Sequence, residues 1–359
     1  MDADAVRERL RRVEDPTLGD DIVSLGLVGE IRVSDGVAEI PIALNAPFSP
    51  SEGDIAARVR EEIAELGLEP SLVQKRERTE TDVLPGVTNV VAVASGKGGV
   101  GKSTVAVNLA AGLADRGARV GLFDADVYGP NVPRMLDETE KPNATNEETI
   151  VPPEKFGVRL MSMGLLVGED DPVIWRGPMI HKVLTQLIED VEWGELDYLV
   201  IDLPPGTGDT QLTMLQTVPL TGSVVVTTPQ EVAIDDARKG LRMFGRHDSV
   251  VLGIAENMAS FVCPDCGSKH AVFGEGGGER FASENDLPFL GSIPLDPDVR
   301  SGGDEGRPIV LSEDHPTGEA FRSMAANVAD QIGTVNRQSE QGAEGHSERG
   351  GEGQSEHEE

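Results

Sequence analysis

A glycine- and lysine-rich run near residue 100 has the residue types and the spacing needed to bind a phosphate chain. It fits the pattern G-x-x-x-x-G-K-[ST], and it lies between an apolar segment that predicts a strand and a segment that predicts a helix. Backbone N–H groups of such a loop surround an anion, and the helix N-terminus adds partial positive charge. The alternative is a plain glycine turn. We expect a nucleotide site formed by Gly96, Lys97, Gly98, Gly99, Val100, Gly101, Lys102, Ser103 and Thr104.

Side chains of this loop have predicted roles in phosphoryl transfer. Lys102 is expected to contact the β- and γ-phosphates of ATP, and the Ser103 hydroxyl is expected to bind Mg²⁺. Lys97 is a second lysine, at the start of the loop, for which the phosphate-binding pattern gives no role.

Aspartates at the ends of two apolar segments are candidates for the metal and for the attacking water. Asp202 follows Tyr198–Ile201, and Asp124 ends a second apolar segment, with Asp126 two residues later. In open α/β sheets, ligands bind at the carboxyl ends of the strands. We therefore expect Asp202 and Asp124 to lie near Mg²⁺, and Asp126 to orient the water or accept its proton. The alternative is that each aspartate merely ends a strand.

The two cysteines, Cys263 and Cys266, have the spacing C-x-x-C. A redox dithiol favours a helix N-terminus, whereas Pro264 and Gly267 favour a loop. A zinc site needs four ligands, and His270 is available only as a third. An iron–sulfur cluster also commonly takes four thiolates, which two chains related by a two-fold axis could supply. We favour a [4Fe–4S] cluster that bridges a homodimer, and two free buried thiols remain the alternative.

Alternating strands and helices are expected to position these residues. Predicted strands are 90–94, 119–123, 198–201, 223–227, 250–254 and 289–293, and predicted helices are 102–115, 179–190, 232–244 and 316–332. Continuous apolar strands separated by helices are typical of an α/β domain with a doubly wound, mostly parallel sheet. The polar segment 137–155 is expected to be an exposed insertion.

Composition changes along the chain predict four regions. Residues 1–74 have the pattern of a small α+β domain, with helices at 5–13 and 53–66 and strands at 27–33 and 37–44. Residues 75–87 are mostly polar and predict a linker that ends at Pro-Gly. Residues 88–333 form the predicted nucleotide-binding domain. Residues 334–359 contain almost nothing apolar, so we expect a disordered acidic tail.

The net charge of the 359-residue chain is −32. Such a chain stays soluble where salt screens its self-repulsion, so we expect a high-salt cytoplasm. The acidic surface argues against a sequence-independent nucleic-acid partner, which needs a basic stripe. The acidic N-terminus has no signal-peptide pattern. No apolar run approaches the roughly 20 residues of a membrane span. We expect a cytoplasmic protein with neither a nucleic-acid nor a membrane partner.

The motifs in combination resemble a known family. Lys97–Ser103 is similar to the deviant Walker A motif of the MinD/ParA/nitrogenase-iron-protein class. Over about residues 86–330 the chain resembles the Mrp/ApbC iron–sulfur cluster carrier ATPases, in segments 175–179, 193–209, 228–230, 256–259 and 291–295 and in the cysteine pair. Residues 1–74 resemble the MIP18-like domain, which frequently carries Cys-Pro where this chain has Ser49-Pro50.

The resemblance implies a homodimeric ATPase. It would assemble a labile [4Fe–4S] cluster between Cys263 and Cys266 of both subunits and transfer it to apo iron–sulfur proteins. Lys97 would cross the dimer interface toward the partner's nucleotide, as an arginine finger does. Asn257 aligns with the family's adenine-contacting position.

Two other functions stay open at this point. One is a partitioning or positioning switch of the ParA/MinD kind, which binds DNA or membrane. The acidic composition, the C-x-x-C and the absence of a C-terminal basic amphipathic helix argue against it. The other is a zinc-stabilised P-loop regulatory protein that never holds iron.

Overall fold

The computed structural model describes residues 2–75, 83–144, 149–166, 177–263 and 265–350. The chain forms two compact units, Met1–Thr79 with Ala329–Glu359, and Glu80–Val328. The boundary between residues 79 and 80 falls within the predicted linker. Parts of four predicted features lie outside the described residues, namely linker residues 76–82, residues 145–148 of the predicted insertion, tail residues 351–359, and Trp175 and Arg176 of the family-like segment 175–179.

The first unit contains a three-stranded sheet and two helices. Its elements are α1 (Ala3–Leu10), β1 (Arg32–Ser34), β2 (Val37–Ile42), α2 (Pro50–Ala64) and β3 (Glu69–Gln74). β2 pairs antiparallel with β1 and parallel with β3. The core is aliphatic and includes Leu10, Ile40 and Ile55. The α+β prediction agrees with this architecture, although β1 is shorter than the predicted strand and β3 was not predicted.

The start of α2 shows why its sequence forms a helix there. The Ser49 hydroxyl accepts a hydrogen bond from the N–H of Glu52 at 3.2 Å, and Pro50 occupies the first helical position. Both choices favour a helix N-terminus, because the serine satisfies a free N–H and proline lacks one.

The second unit is built on an eight-stranded sheet. Its elements are β4 (Val87–Ser95), α3 (Lys102–Asp115), β5 (Val120–Asp124), α4 (Val132–Met135), β6 (Asn143–Ala144), β7 (Ile150–Val151), β8 (Glu154–Lys155), β9 (Val158–Ser162), α5 (Met163–Leu166), α6 (Gly177–Glu189), β10 (Leu196–Asp202), α7 (Asp209–Thr217), β11 (Gly222–Thr227), α8 (Glu231–Arg246), β12 (Val251–Glu256), β13 (Phe261–Val262), β14 (Lys269–His270), α9 (Gly277–Glu284), β15 (Phe289–Ser292), α10 (Pro297–Glu305) and the start of α11 (Pro316–Gly350). The strand order is β15-β12-β11-β4-β10-β5-β9-β8.

This sheet is parallel except for the β8–β9 pair, which confirms the predicted doubly wound α/β fold. β5, β10 and β11 are almost continuously apolar because helices cover both faces of the sheet. β10 lies between β4 and β5, so three candidate site segments meet at one edge: the loop after β4 and the last residues of β5 and β10. All six predicted strands are present, whereas β8 and β9 were not predicted.

The prediction of disorder from residue 334 is wrong for the first part of that segment. α11 continues through it, and Arg337 is completely buried in the first unit. Its guanidinium group donates to Asp15 Oδ2 at 2.6 Å and to Glu52 Oε1 at 3.2 Å. A buried cation is stable only when such partners compensate it. Its partners are distant in sequence, so composition alone could not reveal them.

Among the described residues, none of the helices combines the length and the hydrophobicity required to span a bilayer.

Candidate nucleotide site and cysteine hairpin

The phosphate-binding loop connects β4 to α3 and requires glycine for steric reasons. Gly99 and Gly101 have φ values of 80° and 82°, in the left-handed region that favours glycine. A Cβ on Gly96 would lie 2.2 Å from the carbonyl carbon of Asp236 on α8. A Cβ on Gly101 would lie 2.1 Å from Nδ2 of Asn257. The glycines therefore allow α8 and Asn257 to approach the loop closely.

A phosphate-binding loop of this pattern places a lysine on the phosphates, and here Lys102 is buried beside an acidic side chain. Its Nζ lies 2.5 Å from Asp202 Oδ1 and 3.3 Å from the Ser103 hydroxyl. The second carboxylate oxygen of Asp202, Oδ2, is buried without a hydrogen-bond partner in the part of the chain that the structure describes. A buried carboxylate oxygen without a donor is a suitable ligand for a hard cation such as Mg²⁺.

Asp124 lies directly beside Asp202 in the sheet register. Its Oδ2 accepts from the Ser162 hydroxyl at 3.0 Å, and its Oδ1 accepts from the N–H of Asp126 at 3.1 Å. Burial, and then the charge of Asp202, raise the pKa of Asp124 to about 8. Burial also raises the pKa of Asp202, while Lys102 opposes that shift. Two carboxyl groups lie near one lysine at this edge of the sheet. A further cation bound there would therefore be stabilised by a nearby carboxylate.

These groups adjoin a cavity of about 510 Å³, which lies in the size range of small-ligand sites. Lys97, Ser103 and Asp126 line it together with Asn257. The structure therefore brings together the loop and the aspartates that the sequence singled out. Asp124 and Asp202 are buried beneath its surface, whereas Asp126 is only half-buried.

The side-chain amide of Asn257 forms hydrogen bonds with the protein backbone. Its Nδ2 donates to the carbonyl oxygen of Val100 at 2.9 Å, and its Oδ1 accepts from the N–H of Met258 at 2.9 Å. It thus ties the end of β12 to the phosphate-binding loop. Contact with adenine stays a prediction for this residue.

The wall of the cavity continues into the segment that carries the cysteines. The N–H of Ala259 donates to Ile293 at 3.0 Å, and the N–H of Leu295 donates to Ser260 at 2.8 Å. Phe261 forms a parallel bridge with Leu295, which itself lines the cavity. Backbone hydrogen bonds therefore connect the nucleotide cavity to the base of the cysteine segment.

The cysteines lie in a short antiparallel hairpin, residues 261–270, which we call the cysteine hairpin. The N–H of Cys263 donates to Ser268 at 2.9 Å, and the N–H of Gly267 donates back to Cys263 at 2.8 Å. Gly267 has a φ of 70°, which permits this turn. Cys263 is half-buried and Cys266 is exposed. As predicted, a loop and not a helix N-terminus carries the pair.

Hydrogen bonds from Ser268, through its hydroxyl and then its backbone, lower the pKa of the Cys266 thiol. His270 lies on β14 opposite Phe261, with the two rings 6.5 Å apart between centroids. Within the described ranges, the cysteines form no cluster with a third His, Cys, Asp or Glu ligand. One chain therefore supplies two thiol ligands at this hairpin, short of the four that a closed zinc or iron–sulfur site needs.

Comparison with known families decides the classification. Residues 86–329 match the model of the NUBPL iron-transfer P-loop NTPases, in the ParA group, and residues 3–69 match that of an iron–sulfur cluster assembly protein domain. The chain belongs to the NUBPL iron-transfer P-loop NTPase family. The resemblance found in the motifs is thereby confirmed.

One relative matches nearly the whole of this family member, and another matches about two thirds of it. An iron–sulfur cluster carrier protein from Deinococcus radiodurans is 46% identical over 338 residues, which cover 92% of this chain and 95% of the relative. The Arabidopsis thaliana iron–sulfur protein required for NADH dehydrogenase is 47% identical over 253 residues, covering 70% and 81%.

Solved structures agree with the NTPase fold. A nucleotide-binding protein from Archaeoglobus fulgidus, solved with ADP, is 38% identical, has a TM-score of 0.57, and covers 64% of this chain and 92% of its own. The cell-division ATPase MinD of Pyrococcus furiosus is 24% identical, with a TM-score of 0.53 and coverage of 67% and 98%, and it is similar in fold alone.

Among the residues that the sequence did not indicate for the site of this NTPase is Ser162, which supports a buried aspartate. Ser162 ends β9 and donates its hydroxyl to Asp124, while accepting from the N–H of Gly164 at 3.1 Å. The available signal was the apolar alternation in Val158–Ser162 after a glycine, which predicts a short strand ending at the ligand edge of the sheet.

Proposed function

We propose that this protein binds and hydrolyses ATP and, as a homodimer, carries a [4Fe–4S] cluster that it transfers to apo iron–sulfur proteins. The observation that carries this proposal is the shared wall: one segment, Asn257–Cys263, contacts the phosphate-binding loop at one end and bears a cluster ligand at the other. The names of the relatives and the ADP-bound neighbour support both halves of the activity.

The residues around the cavity have different roles in the proposed hydrolysis of ATP. Lys102 exchanges Asp202 for the β- and γ-phosphate oxygens when nucleotide enters, because phosphate competes for the same cation. Mg²⁺ would be held by the Ser103 hydroxyl, Asp202 and Asp124. When bound, it would neutralise part of the negative charge on the phosphate oxygens. Asp126, at the cavity surface, orients the attacking water and accepts its proton.

Ser162 positions the buried acids. By donating to Asp124 Oδ2, its hydroxyl fixes the orientation of that carboxylate beside Asp202. Lys97 lines the cavity from the start of the loop, and we propose that it acts on the nucleotide of the partner chain. A second cation supplied in this way makes hydrolysis depend on the dimer.

The cluster is cargo and binds at the two cysteine hairpins of the dimer. Each chain provides Cys263 and Cys266, so two chains provide the four thiolates that a [4Fe–4S] cluster commonly takes. The exposure of Cys266 suits a labile cargo that a recipient must reach.

Nucleotide occupancy is coupled to cluster binding through the shared wall. Leu295 lines the cavity and is paired through its backbone with Ser260 and Phe261, so a ligand that displaces Leu295 would also move these two residues, which immediately precede Cys263. Coupling of this kind is reciprocal, so a bound cluster must change nucleotide affinity by the same factor.

Anaerobic reconstitution tests the proposal. The full chain is incubated with iron and sulfide in high-salt buffer, and bound iron, sulfide and zinc are measured beside Cys263→Ala and Cys266→Ala. We expect iron and sulfide in the native protein and neither in the variants. Binding of zinc without iron and sulfide would identify a zinc-stabilised protein instead and would contradict the cluster proposal.

A further inference from the structure

The two sulfurs of the cysteine hairpin differ in exposure and in their hydrogen bonds. Cys263 is half-buried, whereas Cys266 is exposed and its Sγ lies 3.3 Å from the Ser268 hydroxyl oxygen. The carbonyl oxygen of Ser268 also accepts from the N–H of Cys263 at 2.9 Å. One serine therefore fixes the turn and contacts one of the two sulfurs through its side chain.

The direction of this contact depends on the state of the sulfur. In the free thiol, Cys266 donates to the Ser268 oxygen. A sulfur bound to iron has no proton, so the hydroxyl must turn and donate to it. The hydrogen bond is stronger to a released thiolate than to a bound one, because iron withdraws part of the negative charge from a bound sulfur. Ser268 consequently stabilises the released state more than the bound state.

We propose that Cys266 is the ligand that leaves the cluster first during transfer, and that Ser268 is the positioning residue that stabilises its departing thiolate. The proposal rests on cluster binding at Cys263 and Cys266 as proposed above. The exposure of Cys266 supports the same order. An incoming ligand reaches the iron bound by the exposed Cys266 more easily than the iron bound by the half-buried Cys263.

The step is a ligand exchange without oxidation or reduction. The bond between iron and Cys266 Sγ breaks, and its electron pair stays on sulfur, which then accepts from the Ser268 hydroxyl. A thiolate of the recipient donates an electron pair to the same iron and forms the new bond. If the recipient sulfur arrives as a thiol, its proton passes to the released Cys266.

Dithiothreitol serves as the accepting thiol in the test. The reconstituted full-length dimer is mixed with it, the loss of iron–sulfur absorbance is followed, and samples are quenched with excess iodoacetamide to identify the free cysteine by mass spectrometry. We expect Cys266 to be labelled before Cys263. Earlier labelling of Cys263, or simultaneous labelling, would overturn the order.

Ser268→Ala should slow the exchange by roughly three- to tenfold, about the net effect of one ordinary hydrogen bond, because the iron-bound sulfur already accepts a weaker form of the same bond. It should also make the reduction potential of the cluster more negative, because fewer donors then stabilise the electron-rich cluster. Ser268→Thr keeps the hydroxyl and should restore both values. Ser283→Ala removes an exposed serine on α9 and is the matched control.

The outcomes separate the two proposals. A native protein that takes up no iron and sulfide refutes cluster binding, and the release order with it. A native protein that loads normally, with Ser268→Ala exchanging at the native rate and potential, refutes only the role of Ser268. Because Ser268→Thr preserves the hydroxyl, failure of that variant to recover also counts against the role.

Discussion

Replacing Arg337 by methionine should strongly destabilise the first unit, although the residue lies in a segment whose composition suggests disorder. The guanidinium group is completely buried with Asp15 and Glu52, at 2.6 and 3.2 Å, and it also donates to the Ser51 hydroxyl at 3.2 Å. Removing one partner of a buried ion pair leaves uncompensated charge and costs about 3–5 kcal/mol. Here two carboxylates lose their cation together.

The pH dependence of this loss identifies its cause. Burial already raises the pKa of Glu52 to about 7 and the charge of Arg337 opposes that shift, so the substitution raises the pKa further. Protonation of Glu52 then relieves the repulsion. We therefore expect the largest destabilisation at pH 8 and a smaller one at pH 6.

Hydrogen exchange of the full chain, measured by mass spectrometry, gives the free energy of opening for peptides of α2 and β2. A loss of about 3–5 kcal/mol accelerates exchange by roughly 10²- to 5 × 10³-fold where opening is at equilibrium. Arg12→Ala, at an exposed arginine of the same unit, is the control and should have little effect. Acceleration of less than about fivefold in Arg337→Met would show that the buried ion pairs of Arg337 do not stabilise the first unit.

Four further predictions concern the nucleotide site and the buried Glu52. Lys102→Ala should abolish phosphate release from ATP, whereas Lys97→Ala should keep ATP affinity and lose hydrolysis; unchanged turnover in either contradicts its role. Asn257→Ala frees the phosphate-binding loop from the cysteine segment, so the ratio of ADP dissociation constants with and without bound cluster should move toward one. Burial raises the pKa of Glu52 from 4.5 to about 7, so the folded first unit holds a proton that the unfolded chain releases, and stability should fall as the pH rises from 4.5 to 7. Glu52→Gln should flatten that slope in denaturant titrations, and an unchanged slope would assign it to another group.

The arrangement of the candidate nucleotide site was predictable because its signals are local. Each functional residue follows an apolar strand or opens a helix within one short motif, and α3 begins at Lys102, as the loop pattern requires. The same holds for the C-x-x-C, whose glycine and proline already indicated a loop. Parallel strands then bring Asp124 and Asp202 together without further information.

The remaining contacts join residues that are distant in sequence. Arg337 and Asp15 are separated by 322 positions, and no pattern around either identifies the other. The contact of Gly101 with Asn257 likewise depends on the packing of two separate loops. The pattern in Val158–Ser162 indicates the strand β9, but nothing in it indicates that the Ser162 hydroxyl contacts Asp124 on a different strand. Such features follow from tertiary packing and need the structure.

In the proposed dimer, two chains share one cluster through their cysteine hairpins. Native mass spectrometry of the anaerobically reconstituted protein tests it directly, because it reports the number of chains and the metal content of the same particle. We expect a dimer with four irons and four sulfides in the native protein, and no such particle in Cys263→Ala or Cys266→Ala. A monomer that carries a complete cluster, or a dimer that carries zinc and no sulfide, would contradict it.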